Sequence, residues 1–426
     1  MHTSSNLWHL TCAEQISPDR LLADAEVDLA VIGGGFTGCS AALEAARAGA
    51  SVIVLEAETL AHGGSGRNVG LVNAGLWLPP EEVVAQLGEA MGRRLIEALG
   101  RGPETVFSRI REFGIECEAA QNGTLHLAHA PGGVRDLKNR FRQGTGFGAP
   151  LRLLDREETA RRTGSSAFHA ALLDPRAGTL QPRAYCLGLA RAAIAAGARI
   201  CQRTPVTGVE RAGGRWHVQA GGHRVSAARL LVATNAYHQL AEGAYAPEYV
   251  VVSYCQFATA PLSPDQRQRI LAGREGCWDT AMVMSSIRTD AQGRLIIGGM
   301  GNTEGPAAMI HESWARRKLR HLYPELADLP FEHQWRGRIA MTRDHIPKVV
   351  AFGPDAYAVF GYSGRGICPG TVIGTAAAQA LLGAGEAALP LPVHQAYSER
   401  FKSVAGAYVE FGAALTHALR PGLLGA

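Results

Sequence analysis

Three glycines and one acid carry the first chemistry legible in this chain. Gly33, Gly35 and Gly38 follow directly on an apolar run at residues 27–32, and a helix-forming, Ala-rich stretch comes next. A second apolar run at 52–55 ends in Glu56, 18 residues after Gly38. That order is the strand, glycine turn, helix and acid-tipped strand of a dinucleotide-binding βαβ unit. Gly33 permits the tight turn, Gly35 lets a pyrophosphate approach the backbone, and Gly38 lets helix and strand pack closely. Phe36 and Thr37 lie in the same glycine turn as cofactor-binding candidates, and the N-terminal N–H groups and partial positive charge of the helix that follows from Cys39 suit phosphate. Glu56, with Ala57 beside it, stands where a carboxylate bonds a ribose 2′-OH, and its charge disfavours a 2′-phosphate, so NADP is not expected.

The remaining sequence must position that unit. A chain of 426 residues has room for two or three domains. Its 46% hydrophobic and 19% charged content is that of an ordinary globular protein. A net charge of +4 is small for this length, so no nucleic-acid partner is expected. The run Arg316-Arg317-Lys318 reads as a solvated helix face. The eight cysteines show no C-x-x-C spacing and read as buried or incidental thiols in a reducing compartment, with neither metal site nor disulfide framework. The N-terminus lacks the pattern of a signal peptide and no stretch reads as a membrane span, so the expected compartment is the cytoplasm.

Periodicity predicts a weak helix near 19–24, helix over 81–113, a strand at 123–128 and a charged helix at 134–141. An amphipathic helix is expected at 182–197, closed by Gly197. A hairpin around 213–222, strands at 229–233, 246–260, 293–300 and 356–360, a helix near 264–271 and an Ala-rich closing helix at 371–382 complete the reading.

Four further segments narrow the cofactor. These are Gly64-Ser65-Gly66-Arg67-Asn68-Val69-Gly70, Gly178-Thr179-Leu180-Gln181-Pro182 leading on to Val206, Leu230-Leu231-Val232-Ala233-Thr234-Asn235-Ala236, and Phe360-Gly361-Tyr362-Ser363-Gly364-Arg365-Gly366. Together with Met341-Thr342-Arg343-Asp344-His345-Ile346-Pro347, which is similar to a T-x-D-x-x-P stretch of that family, they resemble the D-amino-acid oxidase superfamily of FAD enzymes. The gamma-glutamylputrescine oxidase and glycine/sarcosine oxidase-like group is the nearest match within it, and the resemblance runs from Trp8 to about Gly385. It implies an α/β fold: a discontinuous Rossmann-like FAD-binding domain (26–90, 150–245, 338–395) with an inserted mixed or antiparallel-sheet substrate domain (91–149, 246–337). A lead-in at 1–25 and a C-terminal helical segment at 396–426 flank them.

Carried over by residue, the resemblance implies that Gly33, Gly35, Gly38 and Glu56 hold the ADP half of FAD. It sets Ser65, Gly66, Arg67 and Asn68 along the pyrophosphate and ribityl chain, and gives Val206 a backbone bond to adenine. Ala233, Thr234 and Asn235 close over the cofactor, although many relatives have Gly where Asn235 stands, and Gly364, Arg365 and Gly366 approach the flavin ring. A helix starting near Gly370 would aim its positive end at that ring.

The chemistry implied is oxidation of a C–N bond, with hydride passing from the carbon of an amine or amino acid to the flavin and the imine then hydrolysing. Orientation carries much of such a rate, so no catalytic base is named, and Asp344 and His345 read as structural. Trp77, Tyr254, Gln256, Arg288 and Arg365 are the candidate substrate residues, with Tyr237 and Trp278 behind them. If the substrate is an amino acid, Arg288 and Arg365 compete to bind its carboxylate, whereas the motif matches to amine oxidases favour a simple amine or polyamine derivative. Ile339, Ala340 and Met341 stand where some sarcosine oxidases carry a flavin-linking Cys, so noncovalent FAD is expected. None of Lys138, Lys318, Lys348 and Lys402 falls in a pocket segment, which leaves dioxygen and another electron acceptor both open. An NAD-dependent dehydrogenase and a non-catalytic flavoprotein subunit are the competing readings.

Overall fold

Strands that are apolar on both faces must lie between two layers. Val52–Leu55 is buried at every position, and Ala25–Ile32 from Leu29 onward. In the computed structural model, which describes residues 6–239, 241–400 and 402–419, these two strands pair in parallel, Leu29 against Val52 through Ile32 against Leu55. They sit in a sheet ordered Val393–His394, Lys348–Gly353, Ala356–Phe360, His223–Val232, Ala25–Ile32, Val52–Leu55, Arg199–Cys201, with Val206–Ala212 and Arg215–Ala220 branching from His223–Val232. Chain connections diverge on either side of Ala25–Ile32, so its C-terminal end is the switch point where such sheets bind ligands.

Two helices converge on that point. Phe36–Arg47 packs on Ala25–Ile32, and Ile367–Gln379 packs on Phe36–Arg47. Both approaches require glycine. A Cβ on Gly38 would lie 1.9 Å from Gly33 O, and one on Gly374 would lie 2.4 Å from Thr37 O. The segment Ile367–Ala384 is long and apolar enough to cross a membrane, contrary to the sequence reading, but 67% of it is buried inside the molecule, as befits a core helix.

The second sheet runs Phe331–Met341, Val250–Pro261, Arg294–Met300, Ser285–Thr289, Gly276–Asp279, Thr124–Leu127, Ala171–Asp174, Arg152–Leu154. Its longest strand pairs antiparallel on both sides, Tyr254 standing opposite Gly337 and Met300. Residues two apart on a strand share a face. Val252, Tyr254 and Gln256 therefore look the same way, as do Gly337, Ile339 and Met341.

Several expectations change. Arg152–Leu154 and Ala171–Asp174 pair into the second sheet, so the stretch after 150 that was assigned to the nucleotide domain contributes to the substrate side. Residues 19–24 form no helix, because Leu21 N and Asp19 O bond instead to Thr204 Oγ1 and Gln202 N. The 81–113 stretch is three helices, Pro80–Leu87, Glu89–Gly100 and Gly102–Glu112, broken at Gly88 with φ of 77° and again ahead of Pro103. Pro182–Ala195 is buried almost all round rather than amphipathic. The closing helix starts at Ile367, four residues early, since Pro369 is tolerated in a first turn. Lys402–Ala418 lies in the expected C-terminal helical segment, of which 420–426 are outside the described residues.

The Gly38 contact yields a stability test. Gly38→Ala should destabilise the protein by about 3 kcal/mol or more, since its methyl meets rigid backbone. Gly412→Ala, on a helix with no neighbour within 4 Å of the added Cβ, should be neutral or stabilising by up to about 1 kcal/mol. Urea midpoints of both variants make the comparison, and equal midpoints would contradict it.

Candidate functional site

A groove opens at the C-terminal end of Ala25–Ile32. It is lined by Gly33, Gly35, Phe36, Thr37, Glu56, Ala57, Ser65, Asn68, Val206, Ala233, Thr234, Asn235, Gly364 and Gly366, and encloses about 400 Å³. Glu56 ends the second strand, where its Oε2 accepts from Gly34 N (2.7 Å) and its Oε1 from Glu58 N (3.0 Å). Burial raises its pKa above the ordinary carboxylate range, and the two N–H donors pull the other way. The helix Phe36–Arg47 has no side-chain cap at Gly35, and Ser65 Oγ accepts from Phe36 N at 3.0 Å. Asn235 holds φ of 43°, a left-handed conformation that Asn tolerates better than most, and its Oδ1 accepts from Gly361 N at 3.0 Å. Thr37 Oγ1 and Tyr362 OH share a buried hydrogen bond of 2.6 Å. Residues 325 positions apart are thereby locked at one point.

A second cavity of about 370 Å³ adjoins the first, sharing Asn68, Arg338, Ser363, Gly364 and Gly366 among its walls. Trp77, Tyr254, Gln256, Trp278, Met284, Ser286, His345 and Arg365 line the rest. Tyr254 OH donates to Ser286 Oγ at 3.0 Å, and burial pushes this phenol above its usual range. Arg365 lies between two indoles, its guanidinium carbon 5.1 Å from the Trp278 ring and 5.7 Å from that of Trp77. Nη1 donates to Ala74 O at 2.8 Å. Burial first, then the neighbouring Arg140 charge, lowers its pKa to about 10, so at neutral pH it remains a cation. His126 stacks on Trp278 at 5.0 Å, and burial holds it neutral.

The family model described as DAO, FAD dependent oxidoreductase, matches residues 28–380. This chain belongs to that family. It is 31% identical over 360 residues to the probable oxidoreductase OrdL of Rhizobium meliloti, covering 84% of this chain and 83% of the relative. It is 28% identical over 390 residues to the gamma-glutamylputrescine oxidoreductase of Escherichia coli, covering 90% of each. The solved L-amino acid deaminase of Proteus myxofaciens shares the fold, with a TM-score of 0.72 at 15% identity over 87% of this chain and 94% of that one. The cofactor of the family is FAD, which removes the NAD-dependent dehydrogenase reading.

The residues present fit FAD. Gly366 is the N-cap of Ile367–Gln379, has φ of −108°, and a Cβ there would find nothing within 4 Å. Neither backbone strain nor protein packing demands glycine at that position; what a side chain would occupy is the space shared by the two cavities. The uncapped N-terminus of the helix opens on the same space, three residues earlier than the sequence reading set it.

Other expected residues fall elsewhere. Gly38 and Gly66 line neither cavity and serve packing, since a Cβ on Gly66 would lie 2.1 Å from Ala61 O. Arg67 borders the second cavity, not the nucleotide groove, and its guanidinium is taken up by His62 O (2.8 Å) and Arg336 O (3.2 Å). Arg288, expected as a substrate residue, lines neither cavity. It is fully buried below the 67–70 loop, where Nη1 donates to Leu180 O at 2.6 Å, Val69 O at 3.1 Å and Gly70 O at 3.2 Å. Tyr237 lines the nucleotide groove and accepts from Arg338 N through its hydroxyl. Asp344 is structural, paired with Lys348, whereas His345 reaches the second cavity with φ of 56°. Lys318 is no solvated charge, for it meets the buried Asp279 at 2.7 Å. Asn73, Met284, Ser286 and Ser363 were missed as cavity residues; for Ser286 the two-residue alternation of its strand is the available signal.

Gly366→Val should give folded protein with little flavin, because its side chain enters the shared space. Absorbance near ~450 nm against that at 280 nm measures it, a spectrum that belongs to the cofactor itself. Full flavin content at an unchanged melting temperature would put the ring elsewhere.

Proposed function

We propose that this protein oxidises the carbon–nitrogen bond of an amine that carries a carboxylate, that is, an amino acid or an N-substituted amino acid. The observation that supports this substrate class is the sign of the charge around the second cavity. Arg67, Arg338 and Arg365 line it, and no Asp or Glu does among the described residues. A polyamine would enter against that field and meet no counterion. A carboxylate meets Arg365, whose planar fork bonds it bidentately and which forms no salt bridge with any described residue.

When bound, FAD supplies the two-electron acceptor. We assign Glu56 to its ribose, the turn at Gly33 and Gly35 to its pyrophosphate with Ser65 and Asn68 alongside, the Val206 backbone to adenine, and Gly364 and Gly366 to its ring. Ala233, Thr234 and Asn235 close the groove. No cysteine lines either cavity, which supports noncovalent binding.

The amine falls to Gln256. This residue lines the cavity; its Nε2 donates to Arg67 O at 3.4 Å, and its Oε1 is buried without a hydrogen-bond partner. An amide oxygen accepts a substrate N–H without the strong preference for ammonium that a carboxylate would impose, so the amine keeps its lone pair. Trp77, Trp278 and Tyr254 exclude water around it. Electrons leave to dioxygen or to another acceptor, and the rate at which reduced protein recovers its colour in air separates the two. All eight cysteines are free, which suits a reducing compartment such as the cytoplasm.

Anaerobic mixing with amino acids, N-methyl amino acids and amines tests the reading. A carboxylate-bearing amine should bleach the flavin. Arg365→Ala should weaken its binding by roughly 10- to 150-fold, the equivalent of about 1.5–3 kcal/mol for a charge-assisted bond, with flavin content unchanged. Equal affinity in the variant, or bleaching by polyamines alone, would overturn the substrate class. No bleaching by any amine would favour a non-catalytic flavoprotein.

A further inference from the structure

The substrate cavity does not end at Arg365. Beyond it lies a second chamber of about 610 Å³, which shares Asn73, Trp278 and Arg365 with the substrate cavity. Its walls are largely apolar, built from Val83, Leu95, Leu99, Phe147, Leu151 and Leu172. Its two acidic lining residues are already paired, Asp174 with Arg176 at 2.7 Å and Glu97 with Arg101. The chamber therefore offers hydrocarbon surface interrupted by ion-paired arginines, Arg93 with Glu89, Arg140 with Asp136, and Arg101 and Arg176 with the two acids just named, behind a doorway of the Arg365 guanidinium and an indole face.

We propose that this chamber is a subsite for the apolar substituent of an elongated amino-acid substrate. Resting on the carboxylate reading above, the assignment sets the carboxylate on Arg365 in the doorway and the amine on the flavin side. The substituent passes Trp278 into the chamber. Three features support it. The chamber is larger than the cavity it adjoins, and that cavity must also take the flavin ring. Apolar side chains supply most of its lining surface, and its charged residues other than Arg365 are paired within the protein, so a substituent meets mainly hydrocarbon. Arg365 faces both spaces, so a group bound to it reaches either.

A homologous series tests it: glycine, alanine, norvaline, norleucine and 2-aminooctanoate, each enantiomer, mixed anaerobically with holoprotein while flavin bleaching reports affinity. Affinity should rise roughly fourfold for each added methylene that enters the chamber. In Leu151→Trp, which fills the chamber from a partly exposed position remote from the doorway, the short members should bind as before and 2-aminooctanoate should lose tenfold or more. Val83→Trp, at another lining position, should repeat that pattern. Affinity independent of chain length in the parent protein would overturn the subsite by itself, whether or not either variant folds. So would an equal loss for glycine and 2-aminooctanoate in a folded, flavin-loaded variant. If no member bleaches flavin, the carboxylate reading has failed first, and the subsite falls with it.

Discussion

The fold turns on one crowded point, the place where Phe36–Arg47 and Ile367–Gln379 meet over the end of Ala25–Ile32. Backbone approaches there are so close that Gly38 and Gly374 admit no side chain. The Thr37–Tyr362 hydrogen bond fastens the first helix to the turn leading into the second, in the interior, where an unmade bond would be costly. Everything functional is measured from that junction. It puts the first glycine turn and the Gly364–Gly366 turn on one groove although they lie at opposite ends of the sequence. It also aims two helix N-termini at the same space, and helix N-termini favour negative charge.

The cation of the second cavity lies on the other side of Gly364. Arg365 sits between two glycines that line both cavities and presents its own cation to the second. Two tryptophan faces hold that cation, and ring quadrupoles attract a guanidinium without neutralising it. A salt bridge would have spent the charge. The buried Lys318–Asp279 pair shows the contrast nearby: burial drives Asp279 toward neutrality, Lys318 and Ser285 keep it ionised, and the pair has no charge left for a ligand. Asp279 also accepts from Ser285 N at 3.1 Å, so that pair anchors the turn carrying Met282 and Met284 at the cavity.

The parts legible in the sequence were those that local chemistry alone dictates. A glycine turn after an apolar strand, with an acid at the next strand end, needs no tertiary information to be read. Trp77, Tyr254 and Gln256, which line the second cavity, were also readable, the last two through the family resemblance, and their two-residue spacing puts them on one face. Arg288 was not. It lies on the same face of its strand as Ser286, which does reach the cavity, and only the 67–70 loop folding over it turns a site residue into a structural one. The strands at 152–154 and 171–174 escaped for a similar reason: sheet membership is decided by long-range pairing, and short apolar runs carry no mark of which sheet they will join. Gly66 and Gly366 look alike in sequence, yet one is needed by a carbonyl 2.1 Å away and the other by open space.

Substrate choice, as proposed, rests on charge: on Arg365 in a cavity that no acid lines among the described residues. The most direct measurement compares the parent protein's anaerobic flavin reduction by a carboxylate-bearing amine with that by the same molecule converted to its primary amide, which keeps size and amine but removes the anion. The account predicts tight binding and full bleaching with the acid and at least a tenfold weaker response with the amide, a gap that narrows as salt is raised. Equal affinity for acid and amide at low salt would contradict it.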